Sequence, residues 1–375
     1  MSIKKVLIVF GTRPEAIKMA PVVKAFSQNM EFDCKVCVTA QHREMLDQVL
    51  SVFEITPDYD LNIMKKGQDL FDITGSVLAQ IKEVYLDFNP DLVLVHGDTS
   101  TSFVAALAAF YLRIKVAHVE AGLRTWDMEN PFPEEANRVL TGRISTWHFA
   151  PTQWAADNLK REGVAENKII VTGNTVIDAL YLIRDKLDND ESLRHKVQQS
   201  IKENGYNFDP AKRLVLITCH RRENSGDGFE NIANGIRDCS IAFPDVDFVF
   251  PVHPSPKVRE VFHATLANLT NVYLIEPLEY LPFVFLLSNC TLILTDSGGI
   301  QEEAPSLGKP VLVMRKVSER PEAIEAGVVK LVGTDKLLIF REVKELLATD
   351  KINKPFSLYG DGKAADRIVT TLMAH

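Results

Sequence analysis

The chain has 375 residues, of which 46% are hydrophobic and 25% are charged, and its formal net charge is −8. This composition is that of an ordinary globular protein, and the length favours two domains over one. The negative charge argues against a surface that binds nucleic acid or an anionic membrane, so neither is expected as a partner. No apolar run approaches the roughly 20 residues of a membrane span, and no signal peptide is indicated, so a cytoplasmic protein is expected.

Short apolar runs predict strands, and they alternate along the chain with amphipathic stretches that predict helices. In the first half the predicted strands are residues 6–10, 34–39, 92–96, 116–120 and 169–172, with helical stretches such as 73–85 and 102–112 between them. The alternation restarts with predicted strands at residues 214–218, 248–251, 272–275, 292–295 and 311–313. The predicted fold class is therefore α/β, with two Rossmann-like doubly wound parallel-sheet domains that face a central cleft.

The boundary between the two series is expected in a polar region. Residues 187–210 are rich in Asp, Lys, Glu, Asn and Gln, which is typical of a solvated helix and linker. We therefore predict an N-terminal domain over 1–175, a linker region over 176–210 and a nucleotide-binding domain over 211–355. A C-terminal helix within 356–375 is expected to pack back on the first domain.

The five cysteines indicate neither a redox site nor a metal site. Cys34 and Cys37 have CxxC spacing, but they lie in a predicted strand, where residues three apart face opposite ways. Core positions with reduced thiols are the better interpretation. No pair of histidines or cysteines has the spacing of a zinc site, so no metal is expected.

Two short segments follow predicted strands and open predicted helices. They are GTRPEAIK at residues 11–18 and DSGGIQEE at residues 296–303. A strand that ends in a small-residue turn before a helix presents backbone N–H groups, which favours an anion. Because the segments lie in opposite halves and have arginines and carboxylates nearby, we expect one ligand to be held between two domains.

Acidic residues follow consecutive strands of the first half. Asp98 and Glu120 close two predicted strands, and Glu134 lies in the predicted loop 130–138. Carboxylates that are buried together repel one another, so some raised pKa values are expected, and proton transfer near neutral pH needs such values. The alternative is that these groups cap helices or pair with arginines, for which Arg124, Arg138 and Arg143 are available.

The second half offers cationic groups after its strands. His220 is followed by Arg221 and Arg222, and Arg320 lies past a later strand. Guanidinium groups suit phosphate oxygens, although exposed arginines are commonly no more than solvated charge. Glu303 is placed to accept a sugar's hydroxyls, or else it is only a favourable charge at a helix N-terminus.

Together these segments resemble the non-hydrolysing UDP-N-acetylglucosamine 2-epimerases of bacteria, over nearly the whole chain. The resemblance rests on FGTRPE (10–15), TAQHR (39–43), HGDT (96–99), HVEAGLR (118–124), PEEANR (133–138), TGNT (172–175), CHRRE (219–223) and TDSGGIQEEAP (295–305). It implies a glycosyltransferase-B-like fold, a homodimer and a nucleotide sugar bound between the domains.

The resemblance also implies the reaction and the residues that perform it. UDP-N-acetylglucosamine would lose UDP to give 2-acetamidoglucal, and UDP would re-add to give UDP-N-acetylmannosamine, a precursor of surface polysaccharide, without a cofactor. The catalytic residues carried over are Asp98, Glu120, Glu134 and His220. The substrate-binding residues are Arg13, Lys18, Asp98, Glu120, His220, Phe283, Ser297, Gly298, Gly299, Glu303 and Arg320. Which carboxylate acts on which ring face stays open.

Some bacterial members also bind a second UDP-N-acetylglucosamine as an activator. The residues that resemble this allosteric site are Gln41, His42, Gln48, Arg222 and His253, with Ser255 nearby where Asn is expected. Three rival functions are a glycosyltransferase, a hydrolysing epimerase that releases N-acetylmannosamine and UDP, and a sensor of nucleotide sugars. The three carboxylates argue against the sensor, because binding an anion gains nothing from them.

Overall fold

The computed structural model describes residues 3–40, 43–65, 67–317, 320–348 and 355–374, with only the backbone of Arg222 and Pro321. The chain divides into two compact units. Unit 1 contains the residues up to Ala179 and those from Tyr359 onward, and unit 2 is Leu180–Leu358. No helix in these described ranges is long and apolar enough to cross a membrane.

Unit 1 is built on a parallel sheet with the strand order β3-β2-β1-β4-β5-β6-β7. Its strands are β1 (Lys4–Phe10), β2 (Phe32–Val38), β3 (Tyr59–Asp60), β4 (Leu92–His96), β5 (Lys115–Val119), β6 (Trp147–Ala150) and β7 (Ile169–Val171). Its helices are α1 (Arg13–Ser27), α2 (Arg43–Phe53), α3 (Leu70–Phe88), α4 (Ser100–Tyr111), α5 (Glu134–Ile144), α6 (Gln153–Arg161) and α7 (Thr175–Asn189), which continues into unit 2. The order reverses between β1 and β4, and doubly wound sheets bind ligands at such a switch point.

The apolar run of β1 is buried on both faces of this sheet. Val6, Ile8 and Phe10 pack in one cluster of buried side chains, and Leu7 and Val9 pack in another. Helix α1 contributes to the first cluster, and α3 and α4 contribute to the second. The strand is therefore a continuous apolar run, as expected for a sheet with helices on both faces.

Unit 2 repeats the arrangement with the strand order β10-β9-β8-β11-β12-β13. Its strands are β8 (Arg213–Thr218), β9 (Val246–Pro251), β10 (Val272–Ile275), β11 (Leu292–Thr295), β12 (Val311–Val313) and β13 (Val329–Leu331). Its helices are α8 (Glu191–Glu203), α9 (Asp227–Ala242), α10 (Pro256–Leu266), α11 (Tyr280–Asn289), α12 (Ile300–Ser306), α13 (Pro321–Glu325) and α14 (Lys336–Leu347). The switch point lies between β8 and β11, and every paired strand in both sheets is parallel.

The prediction of an α/β fold with two doubly wound parallel sheets is confirmed. The stretch 187–210, predicted as a solvated helix and linker, contains the end of α7 and the whole of α8. Val197 and Ile201 of α8 are spaced by four residues and are both buried, so this polar stretch has one apolar face. Three short strands, β3, β6 and β13, were not predicted.

The C-terminal helix α15 (Ala364–Met373) belongs to unit 1. Its Ile368 and Leu372 pack in the same buried cluster as Val22 and Phe26 of α1. Asp178 of α7 accepts a hydrogen bond from the backbone N–H of Ala365 at 2.8 Å, in the first turn of α15. The end of the chain therefore completes the core of the unit in which the chain began.

The cysteines lie in the core as predicted. Cys37 packs in one cluster of unit 1 and Cys34 packs against the other, so their CxxC spacing places them on opposite faces of β2. All five thiols are free, and burial raises the pKa of both Cys34 and Cys37 to about 12. Thiols held in the neutral form are poor nucleophiles and poor metal ligands.

Candidate active site

The turns after β1 and β4 meet at the switch point of unit 1 and are joined by Glu15. One carboxylate oxygen accepts the backbone N–H groups of Gly11 at 3.1 Å and Thr12 at 2.8 Å. The other accepts the hydroxyls of Thr99 at 2.7 Å and Ser102 at 2.9 Å. Glu15 is only 2% exposed, so its acceptor capacity is used within the protein. The sequence analysis did not select it.

Gly11 is required by the packing of this turn. A Cβ atom at this position would lie 1.9 Å from the hydroxyl oxygen of Thr39, a distance that no pair of non-bonded atoms adopts. The backbone of the turn therefore approaches the end of β2 closely, and Arg13 begins α1 directly afterwards. The Arg13 side chain is half-buried at this edge of the sheet.

Glu120 follows β5 and has two basic neighbours. The Lys18 Nζ lies 2.8 Å and 2.5 Å from its two carboxylate oxygens, and the His96 Nε2 lies 2.6 Å from one of them. Burial raises the pKa of Glu120, but Lys18 and His96 outweigh burial and hold that pKa well below its ordinary range. The expectation of a raised pKa is therefore wrong for Glu120, because no local sequence pattern indicates its basic neighbours.

The backbone of Glu120 supports a functional interpretation. Its φ angle is +62°, in the left-handed region that non-glycine residues seldom adopt. Such conformations cost free energy and concentrate at functional sites. Since the carboxylate is also only 8% exposed, the fold holds a charged side chain in an unfavourable backbone conformation at the end of a strand.

Asp98 is paired with Arg138, one of the arginines that the alternative interpretation named. The Nε and one terminal nitrogen of Arg138 lie 2.9 Å and 2.7 Å from a single oxygen of Asp98. Burial lowers the pKa of Arg138, but the Asp98 carboxylate outweighs burial and raises it. The amide of Asn137 also donates to the Asp98 backbone carbonyl at 2.9 Å, so α5 fixes this turn at two points.

The turn before Asp98 is held from inside the sheet by His118. The His118 Nε2 lies 2.7 Å from the carbonyl oxygen of Gly97, whose φ angle is +65°. Burial lowers the pKa of His118 to about 3, so its ring is neutral at physiological pH. Because a neutral ring can donate only through one nitrogen, Nε2 carries the hydrogen that bonds to Gly97.

Glu134 and Glu135 open helix α5, although the sequence analysis placed them in a loop. Glu135 is 1% exposed and accepts the backbone N–H groups of Thr125 and Trp126, each at 3.0 Å, and the guanidinium of Arg138 at 3.0 Å. It therefore organises the preceding loop. Glu134 is half-buried and makes no ion pair with any residue of the described ranges.

Asp296 occupies the switch point of unit 2 and is fully buried. Its carboxylate accepts the backbone N–H of His220 at 2.9 Å and 3.1 Å, and the N–H of Arg221 at 2.8 Å. The Asn224 amide donates at 3.2 Å, and the His220 Nδ1 lies 3.2 Å away. Burial raises the pKa of Asp296, but these donors, His220 first, lower it overall. The sequence analysis did not assign Asp296 to the site.

The His220 ring stacks on His253, with ring centroids 5.6 Å apart and planes inclined by 19°. The sequence analysis assigned these residues to different sites, one catalytic and one allosteric. Burial and then the charge of His220 lower the pKa of His253. Arg222 lies in a short 3-10 helix over Arg222–Asn224, Gln48 is exposed on α2, and Gln41 and His42 lie outside the described residues.

The small-residue turn after β11 leads into a short helix. Gly298 is buried, Gly299 is exposed, and the Ser297 N–H donates to the Thr295 hydroxyl at 2.9 Å. Helix α12 has only 7 residues, and Glu303 in its first turn is 8% exposed. A helix this short has only a small dipole, so it supports the predicted anion binding at its N-terminus less than a longer helix would.

Arg320 has a buried acidic partner that the sequence analysis did not identify. Its Nε pairs with the carboxylate of Glu302, which is 3% exposed. The side chain is therefore held beside α12 rather than being merely solvated charge. Phe283 lies half-buried on α11.

The fold and these groups define a class of protein. Each unit is a doubly wound α/β sheet whose switch point carries a buried carboxylate and basic side chains. Proteins of this class bind nucleotides and related ligands at that edge of the sheet. In the described part of the chain, no group of three or more His, Cys, Asp or Glu side chains could hold a metal ion.

Comparison with known proteins identifies the family. The family described as UDP-N-acetylglucosamine 2-epimerase matches residues 24–373. A UDP-N-acetylglucosamine 2-epimerase of Escherichia coli O157:H7 is 55% identical over 98% of both chains. The crystal structure of UDP-GlcNAc 2-epimerase from Neisseria meningitidis bound to UDP-GlcNAc is 51% identical, with a TM-score of 0.89 over 99% of this chain and 100% of that one. The crystal structure of Methanocaldococcus jannaschii UDP-GlcNAc 2-epimerase in complex with UDP-GlcNAc and UDP is 37% identical. Its TM-score is 0.82 over 99% of this chain and 100% of that chain. The chain therefore belongs to the UDP-N-acetylglucosamine 2-epimerase family.

Proposed function

We propose that the protein interconverts UDP-N-acetylglucosamine and UDP-N-acetylmannosamine by inverting C2 of the sugar. The full-length likeness to proteins of that activity supports the substrate, as do the UDP-N-acetylglucosamine and UDP held by two structural relatives. The observation that carries the chemistry is that Asp98 and Glu120 follow adjacent parallel strands, β4 and β5, beside basic side chains. The product serves in this proposal as a precursor of surface polysaccharide.

The chemistry of C2 favours elimination over simple deprotonation. No carbonyl lies beside C2 to stabilise a carbanion, so loss of the proton must be coupled to departure of a leaving group. A base takes the C2 proton, the C–H electrons form the C1–C2 double bond, and the C1–O electrons leave with UDP. Protonation of the resulting 2-acetamidoglucal on the other face and re-addition of UDP complete the reaction, so atoms and charges balance without a cofactor.

The three proposed catalytic carboxylates have different environments and therefore suit different roles. Asp98 and Glu120 each pair with a basic side chain. Glu134 has no ion pair within the described ranges. We assign Glu134 as the group that exchanges a proton with the sugar opposite the base.

Lys18 connects substrate binding to the base strength of Glu120. The family resemblance implies that Lys18 contacts the substrate, and in this proposal it does so through the diphosphate. Its Nζ lies within 2.8 Å of both Glu120 oxygens. A diphosphate that draws the ammonium group away leaves Glu120 with His96 alone. The pKa of Glu120 then rises toward that of a working base only when substrate is present.

The departing UDP requires positive charge and hydrogen-bond donors. For this role we propose Arg13, His220, Arg320 and the turn over Ser297, Gly298 and Gly299. Arg320 must exchange part of its contact with Glu302 for phosphate oxygens. Glu303 is proposed to accept hydroxyls of the ligand, and Phe283 to contact it.

Isotope labelling tests the elimination route. Product formed in deuterated water must carry deuterium at C2, and an oxygen label in the C1–O bridge must scramble into non-bridging positions of the β-phosphate. A redox route through a C4 ketone gives neither result and needs a nicotinamide, for which the sequence has no Gly-x-Gly-x-x-Gly segment. Product that retains protium at C2 would exclude the proton-transfer role of all three carboxylates.

The rival reactions are separated by one experiment. Purified protein with UDP-N-acetylglucosamine alone gives the C2 epimer if the proposal is correct, free N-acetylmannosamine and UDP if the enzyme is hydrolysing, and no change if it is a glycosyltransferase. Proton NMR of the anomeric region distinguishes these products directly. Addition of the protein in tenfold different amounts should change only the rate at which the same equilibrium is reached.

We also propose that the protein is a homodimer with an activator site for UDP-N-acetylglucosamine. Large apolar side chains are exposed on helices of unit 1, with Phe71 88%, Phe110 55% and Tyr111 65% exposed, which favours a second copy as partner. Sedimentation at micromolar concentration tests the dimer. For the activator, conversion of pure UDP-N-acetylmannosamine should show a lag that added UDP-N-acetylglucosamine removes, and His253→Ala should weaken this effect.

A further inference from the structure

Asp296 lies beneath a short loop that contains His220. His220, Arg221 and Asn224 all donate to its carboxylate, and they lie in one stretch of chain, residues 220–224, which follows β8. Asp296 itself follows β11, the strand paired with β8 across the switch point. Its carboxylate therefore fixes the relative position of two strand ends at the edge of the sheet where ligands of this fold class bind.

The position of this carboxylate also determines which ring nitrogen of His220 carries a hydrogen. Nδ1 lies 3.2 Å from an Asp296 oxygen, and an ionised carboxylate can only accept hydrogen bonds. A hydrogen on Nδ1 is therefore favoured at this position. Nε2, on the other side of the ring, is then left to face a ligand, and 39% of the side chain is exposed.

The His253 ring limits the motion of His220 from a second direction. The two rings are stacked nearly parallel, so His253 packs against one face of the His220 ring. His253 is exposed and its Nδ1 accepts the backbone N–H of Ser255 at 3.2 Å, which holds it in place. One carboxylate and one ring thus restrict both the tautomer and the orientation of His220.

We propose that Asp296 is a positioning residue for the epimerase reaction, which acts by holding His220 with Nδ1–H toward the protein and Nε2 toward the UDP leaving group. This inference rests on the proposed function. When Nε2 also carries a proton, both ring nitrogens donate, and Nε2 is then a preorganised donor at the position where negative charge develops. Asp296 touches no reacting atom in this scheme and works entirely through His220.

The tautomer is measured directly in the wild-type enzyme. Long-range nitrogen–proton NMR of protein labelled in histidine reports the hydrogen on each ring nitrogen, and the spectrum of His220→Gln identifies the His220 signals among the nine histidines. The pH is raised until the His220 signals no longer change, so that the neutral ring is observed. The tautomer with the hydrogen on Nδ1 should then predominate. A predominant Nε2–H form would overturn the proposal, and this measurement needs neither activity nor a variant of Asp296.

Kinetics then test whether Asp296 acts through His220. Asp296→Asn should lower kcat by roughly 100-fold or more, which is the size of a lost proton-transfer or donor contribution. In the His220→Gln background the same substitution should change kcat by no more than roughly twofold, the ordinary error of additivity. Equal losses in the two backgrounds would show that Asp296 has a purely structural role and would overturn the proposal.

A matched control lies on the same sheet. Asp247 of β9 is 2% exposed and accepts hydrogen bonds from Tyr206 at 3.3 Å and Lys212 at 3.2 Å. It lies at the N-terminal end of its strand, whereas His220 follows the C-terminal end of β8. Asp247→Asn should leave kcat and the His220 signals unchanged. If the protein proves not to be an epimerase, the tautomer result stands and only the kinetic part fails, so the two failures are distinguishable.

Discussion

Acid should destabilise unit 1 in part through one of its buried histidines, His118. Its pKa is lowered to about 3 by burial, against an ordinary value of 6.5. Between these two values the unfolded chain binds a proton that the folded chain does not, so the stabilising contribution is complete above pH 6.5 and is lost as the pH falls. With about 1.36 kcal/mol per pKa unit, the loss is about 3 kcal/mol between pH 6.5 and pH 4.

His118→Gln isolates this effect. The glutamine amide can still donate to the Gly97 carbonyl, which the ring contacts at 2.7 Å, but it takes up no proton. The variant should therefore lose less stability than the wild type as the pH falls, by about 1.4 kcal/mol per pH unit in this window. The difference between the two proteins is the measured quantity, because other groups titrate in both.

Urea unfolding followed by tryptophan fluorescence is a suitable assay. All three tryptophans, Trp126, Trp147 and Trp154, lie in unit 1, so the signal reports that unit and not unit 2. His263→Gln, an exposed histidine of unit 2, serves as the control for the substitution itself. Parallel stability curves for wild type and His118→Gln from pH 7 to pH 4 would refute the assignment of a neutral buried ring.

Three further predictions follow from the same structure. We expect kcat to fall by at least roughly 100-fold in each of three folded variants, Asp98→Asn, Glu120→Gln and Glu134→Gln. The control is Glu129→Gln, at an exposed glutamate of the neighbouring loop, which should leave kcat unchanged. Near-normal turnover in one of the three variants would show that its carboxylate is structural. Arg13→Ala and Arg320→Ala should each weaken UDP binding by roughly 1.5–3 kcal/mol in calorimetry, and unchanged affinity in both would remove the phosphate assignment. Burial raises the pKa of Asp178 to about 6 from 3.8, so the folded state binds the extra proton. Stability should therefore rise by about 2 kcal/mol as the pH falls from 6 to 4, opposite in sign to the effect of His118. Asp178→Asn should abolish that rise, and an unchanged pH profile of unit 1 would contradict it.

Much of the architecture could be predicted because the main strands of parallel sheets are locally encoded. Runs such as Val6–Phe10 are continuously apolar, since helices cover both faces of the sheet, and the alternation with amphipathic stretches then specifies the fold class. The strands that were missed are short and sit toward or at sheet edges, where few residues need to be apolar: β3 has only 2 residues. The solvated helix predicted within 187–210 corresponds to α8, which buries only one narrow face, so its composition resembles that of a solvated segment.

The positions of candidate site residues were predictable, but their partners were not. Residues that follow strands in a doubly wound sheet lie at one edge, so Asp98, Glu120 and His220 could be selected from their place in the sequence. The direction in which the pKa of such a carboxylate shifts depends on the side chains that contact it from other helices and strands. Lys18 reaches Glu120 from α1, 102 residues away, and no local pattern reveals that contact.

The residues that sequence reasoning missed share one physical role. Glu15 and Asp296 are the buried carboxylates at the two switch points, and each accepts hydrogen bonds from the loop of the neighbouring strand. A ligand-binding edge needs loops that expose donors outward, and those loops have N–H and O–H groups on their inner side that must also be satisfied. A buried carboxylate meets that demand with several acceptor sites on one side chain, which is why both units place one there. Such a residue looks like a catalytic acid in the sequence, and only its surroundings distinguish the anchor from the acid.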